Sequence, residues 1–203
     1  MSMRRSILTA VVCAFVATPA LADMRIKVQD DIGSTNGGAF KATVLGDPIG
    51  AYLTGSSFQT FCLEVGEYLT LGNTYYVKLG AAAIEGGVPG GSDPLSDASA
   101  WVYTQWLDVL DKTVVANADD VQRALWYLEG ESGGDNNTLA KAAVAAVTAG
   151  WKNPNIMVMN LYSDSAYTQR AQDLIVRVVP VPGAVLLGLL GLGYAGMRLR
   201  KRV

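Results

Sequence analysis

Two short apolar segments, one near each end, set the terms on which this chain can fold. Ile7 to Val16 and Gly183 to Met197 are runs of apolar and small residues, each shorter than the roughly 20 residues a membrane-spanning helix needs. They supply much of the chain's 50% hydrophobic content, so that figure overstates the core available to the rest. Setting them aside leaves residues 23–178, a length suited to one domain.

The first segment has the layout of a secretory signal. Arg4 and Arg5 form a basic start, the apolar run follows, and Ala20-Leu21-Ala22 supplies an A-x-A cleavage site at Ala20 and Ala22. Residues 1–22 are therefore expected to be removed, with Asp23 as the first mature residue. At the other end, Val179-Pro180-Val181-Pro182 precedes the apolar run, and Arg198, Arg200, Lys201 and Arg202 follow it. Such a basic end stays on the cytoplasmic side, which turns residues 23–178 outward.

This tail, residues 179–203, resembles a PEP-CTERM sorting signal in its Pro-x-Pro pair (Pro180, Pro182), short Gly/Leu helix and basic end; Val181 stands where the family has Glu. The resemblance implies a substrate of an exosortase-type processing enzyme in a Gram-negative, exopolysaccharide-making bacterium. The short C-terminal transmembrane helix would hold the protein in the membrane during sorting, before it reaches the cell surface or extracellular matrix. The G-x-G-x-x-G match at Gly191 to Gly196 lies inside this apolar run, a context that excludes a dinucleotide fingerprint.

The chain has no histidine, which removes Ser-His-Asp and Cys-His catalysis, histidine-ligated zinc and a histidine pH switch. The net charge is −2 and the 16 basic residues form no cluster within residues 23–178, so a nucleic-acid partner is not expected. No metal or cofactor is called for.

Hydrophobic periodicity divides the domain into three stretches. Residues 24–29, 40–45, 51–53, 58–65 and 74–79 read as strands, with a Gly-rich turn at 30–38 and a loop at 85–93. Helical spacing then takes over. The first helix is expected over 94–112, with Leu95, Ala98, Trp101, Val102, Trp106, Val109 and Leu110 on one face. The second starts at Asn117 or Asp119 and runs to Glu129, and the third spans 138–149, ended by Gly150. Residues 156–162 and 173–179 read as closing strands. Strands, helices, strands is the order of an α+β domain: a mainly antiparallel sheet with about three helices inserted.

With Cys13 removed in the signal segment, Cys62 is the one cysteine left, an unusual state for an exported protein. A candidate partner is Gln122, in Val-Gln-Arg-Ala-Leu-Trp. A thiol that attacks a glutamine carboxamide expels ammonia and leaves an internal thioester. The product is no longer a free thiol, yet it keeps an acyl electrophile for an amine or hydroxyl. Such a bond needs an apolar cover against water. Phe61 flanks the cysteine, and Trp126 lies four residues after Gln122 on the same helix face. Two other readings stay open: Cys62 as a small core residue, and Cys62 in an intermolecular disulfide.

Phe61-Cys62 and Val121-Gln122-Arg123-Ala124-Leu125-Trp126 resemble the thioester domains of bacterial surface adhesins, which carry a Cys beside an aromatic residue and later Thr-Gln-x-Ala-Ile-Trp. Val121 stands for Thr and Leu125 for Ile. The resemblance implies Cys62 and Gln122 as the cross-linked pair, and an adhesin that captures an amine- or hydroxyl-bearing surface or polysaccharide target once, without enzymatic turnover. The alternative is a non-covalent structural protein of a biofilm matrix. Glu64, Glu67, Asp119, Asp120 and Glu129 could in principle furnish a carboxylate pair for glycoside hydrolysis, but no spacing singles one out.

Overall fold

The computed structural model describes residues 23–84, 92–179 and 192. The expected signal segment and its cleavage site, most of the loop at 85–93, and the sorting tail with Pro180, Pro182 and the basic end lie outside the described residues. Among the described residues no helix is long and apolar enough to cross a membrane.

Four strands come first: β1 (Arg25–Asp30), β2 (Gly38–Val44), β3 (Ser57–Phe61) and β4 (Thr74–Gly80). A two-residue ladder, β5 (Ala82–Ala83) with β6 (Asp93–Pro94), leads into helices α1 (Asp97–Asp108), α2 (Val115–Leu128) and α3 (Thr138–Thr148). Strands β7 (Ile156–Tyr162) and β8 (Arg170–Arg177) close the domain. The main sheet has the order β3-β2-β1-β4-β7-β8, antiparallel throughout. The helices are thus an insertion between two paired neighbours, β4 and β7, in the expected α+β arrangement.

The sheet curls until its two edges meet. Just past β3, Cys62 bridges Leu174 of β8; Leu63 N–H donates to the Asp173 carbonyl at 3.0 Å, and Thr60 Oγ1 donates to the Ile175 carbonyl at 2.6 Å. The result is a nearly closed barrel, which hides edge groups that would otherwise pair with other chains. Because strand residues alternate between faces, the seam sorts its side chains into two cores. Phe58, Cys62, Leu174 and Val176 pack inside the barrel with Ile26, Val28, Tyr75 and Leu161. Phe61, Leu63 and Ile175 face outward, under Val102, Tyr103 and Trp106 of α1 and Val121 and Leu125 of α2.

Several boundaries differ from expectation. Residues 51–53 form no strand; a lone bridge joins Ile49 and Tyr52, and Leu53 is 65% exposed. Helix α1 starts later than residue 94, because the Ser96 hydroxyl caps it by accepting from Ser99 N–H. Val109 caps its end, out of the apolar face and 68% exposed, while Tyr103 is buried instead. Helix α2 begins at Val115, ahead of Asn117, with no side-chain cap. Asp119, expected at the helix start, lies one turn in and reaches across to the Gly-rich turn.

Candidate functional site

The site is built where the barrel seam meets α2. Gln122 is fully buried and Cys62 is 4% exposed. The Gln122 carboxamide bonds twice to the Cys62 backbone: Oε1 accepts from Cys62 N–H at 3.2 Å, and Nε2 donates to the Cys62 carbonyl at 2.9 Å. The Cys62 N–H also donates to the Gly37 carbonyl at 2.9 Å. This two-point clamp fixes the carboxamide plane, and the N–H aimed at Oε1 polarises the carbonyl. A nucleophile attacking Cδ would pile charge on that oxygen, where a positioned donor lowers the barrier.

Gly37 makes the clamp possible. A Cβ there would sit 2.5 Å from Trp126 and 2.7 Å from Cδ and Oε1 of Gln122. The turn that delivers Gly37 is tied down by Asp119, whose carboxylate accepts from Ser34 N–H at 2.6 Å, from Ser34 Oγ and from Thr35 N–H. These bonds hold the Asp119 carboxyl below the usual range, against the opposing effect of its partial burial.

A cavity of about 450 Å³ opens beside Cys62; Gly37, Phe40, Glu64, Leu69 and Trp126 are among its walls. Trp126 therefore stands beside Cys62 in this cavity. Phe61 does not line this cavity. Adjacent residues of a strand face opposite ways, and its ring packs edge-on against Trp106, with centroids 5.2 Å apart, beneath α1. Burial, with the Glu67 charge adding to it, raises the Cys62 thiol above its ordinary pKa. As a free thiol it would be a poor thiolate nucleophile, and its burial blocks a disulfide to a second molecule without opening of the seam.

A second polar group shares the cavity. Glu64, two residues on, is 2% exposed, and among the described residues neither of its oxygens receives a hydrogen bond from a donor. Its carboxyl lies in hydrogen-bonding reach of another, Glu131, whose Oε2 accepts from Val65 N–H at 3.2 Å. Burial, then Glu131, Asp93 and Glu67, raise Glu64 far above the carboxylate range. The protonated form resolves the contact, since its O–H can donate to Glu131. Close by, Glu67 Oε2 accepts from Asp173 N–H at 2.8 Å, and burial pushes Asp173 up to about 6 even though its own carboxylate accepts from Ile84 N–H. Glu129 is set apart from this group by Ser96, whose N–H and Oγ–H donate to its Oε1. Asp120 contributes its backbone carbonyl to Asn137 at 2.8 Å and, as an exposed residue, joins no carboxylate pair. Among the described residues no group of three or more Cys, Asp or Glu is arranged to hold a metal ion.

Gly37 and Glu131 are site residues that the sequence does not single out. Each lies in a Gly-rich turn, where periodicity carries no signal. No family model matches the chain, and no curated protein or solved structure shows significant similarity to it.

Proposed function

We propose that this domain is an exported surface or matrix protein that captures a partner covalently through a Cys62–Gln122 thioester. The observation that carries the reading is the clamp: a buried glutamine carboxamide oriented by two hydrogen bonds on the very residue whose sulfur would attack it. In forming the bond, the Cys62 thiol loses its proton, Sγ bonds to Cδ of Gln122, and Nε2 leaves as ammonia. In capture, the nitrogen or oxygen of an amine or hydroxyl bonds to Cδ and sulfur leaves as the thiol. The event happens once per molecule, so it is not turnover. The export signal and the sorting tail, with its exosortase-type processing, complete the reading: attachment at the membrane, then release to the surface or matrix of a Gram-negative cell.

Intact mass of the mature domain tests it. The expected mass is one ammonia below the sequence mass, with the thiol silent to maleimide until methylamine is added. Cys62→Ala and Gln122→Ala should each abolish the deficit. A full sequence mass in freshly purified folded protein ends the covalent reading. It would leave the matrix-protein reading, which the placement of Cys62 inside the apolar barrel core favours.

A further inference from the structure

The thioester chemistry moves protons as well as heavy atoms, and two carboxyls, Glu64 and Glu67, line the cavity beside Cys62; Glu67 is engaged by the Asp173 N–H. When sulfur leaves a buried thioester it must be protonated, because burial disfavours a thiolate there. The incoming amine or hydroxyl must lose a proton in the same event.

Glu64 lines this cavity together with Cys62. It is nearly fully buried, receives no donor on either oxygen among the described residues, and has three acidic neighbours: Glu131 after α2, Asp93 of β6 and Glu67 after β3. A salt-bridged carboxylate would be held ionised. This one is held ready to carry a proton, while Gln172 Nε2 anchors its backbone carbonyl at 2.5 Å.

Resting on the thioester reading, we propose that Glu64 is the proton carrier of the Cys62–Gln122 site, with Glu131 as the positioning residue that keeps the proton on it. In capture, neutral Glu64 gives its proton to Sγ as the Cδ–S bond breaks, and the resulting carboxylate takes the proton shed by the attacking nitrogen or oxygen. In formation neutral Glu64 gives its proton to Nε2 as the Cδ–N bond breaks and takes the thiol proton in the same event, so that ammonia and not an amide anion departs. Each of the two steps returns Glu64 to its protonated form, and no further reactant is needed.

The test compares wild type, Glu64→Gln and Glu131→Gln as the mature domain, by intact mass and by the rate of methylamine incorporation across pH, corrected for the free-amine fraction. Glutamine at 64 keeps the shape and offers N–H donors to Glu131, so the fold should persist. Positioned acid–base groups contribute about 10²–10⁴-fold; Glu64→Gln should slow thioester opening by at least ~10²-fold and flatten its pH profile, or fold normally without ever losing ammonia. Glu131→Gln should shift the falling limb of that profile to lower pH, a change that lost packing alone does not produce. Should Glu64→Gln fail to fold, the Glu131→Gln profile decides. A normal mass deficit with wild-type rates and pH profiles in the folded variants overturns the role of Glu64 and leaves the thioester standing. A wild-type protein with no deficit overturns both.

Discussion

Two buried polar contacts bind the segment after β3 to α2 and its following turn, and they are opposites. At Cys62 every backbone polar group is matched by the neutral Gln122 carboxamide or by Gly37. At Glu64, two residues later, a carboxyl meets another carboxyl and receives no donor among the described residues. The first is insensitive to pH and fixes geometry. The second is satisfied only when a proton is present. One short stretch of chain therefore carries both a rigid clamp and a titratable group, and substitutions can separate them.

The largest effect should come from removing the clamp. In a Cys62→Ala background, which excludes covalent chemistry, Gln122→Ala leaves the Cys62 carbonyl buried without a donor and opens a void. Urea unfolding should show a loss of about 3 kcal/mol, equal at pH 5 and pH 8. A loss that grows with pH would merge the two contacts into one. Next, Gly37→Ala drives a methyl into Trp126 and Gln122, and overpacking of this kind costs about 2 kcal/mol. It should also weaken the mass deficit, since Gln122 must move.

Glu64→Gln should act in the other direction, by about 1 kcal/mol, the cost of a buried unpaired group. A carboxyl whose pKa rises on folding contributes its full stability below the ordinary carboxylate range and loses it as pH climbs through the folded value. For Asp173 that window runs from the carboxylate range to about 6; for Glu64 it extends higher. The variant should thus match wild type near pH 4 and be more stable at pH 8, as read by thermal melts at both. The smallest effect is expected at Ser96→Ala, which removes the α1 cap and one donor to Glu129, for about 0.5–1 kcal/mol. A stronger pH dependence in this variant would show that hydroxyl donors are what distinguish Glu129 from Glu64.

The helices and most strands are legible in the sequence because each buries one face, as Ala118, Val121 and Leu125 do on α2. Residues 51–53 mislead because the short apolar run Ala51-Tyr52-Leu53 has no partner strand and so no ladder to join. The contact between Cys62 and Gln122 lies on residues that the sequence itself singles out. The curl of the sheet does not, since it depends on how β3 and β8 meet across more than a hundred residues. Asp119 illustrates a milder gap: its acidity suits a helix start, yet its carboxylate is used on Ser34 and Thr35, a tertiary choice no local rule contains.

The seam has a consequence for the order in which the chain can assemble. A chain made from its N-terminus presents Cys62 long before Gln122, and Leu174 of β8 last of all. The β4–β7 pairing, which must span the helical insertion, is a contact of high sequence separation, the slow kind in folding. The cysteine is therefore housed only when the final strand docks, so any chemistry at this site is timed by completion of the fold and is absent from truncated or half-folded chains.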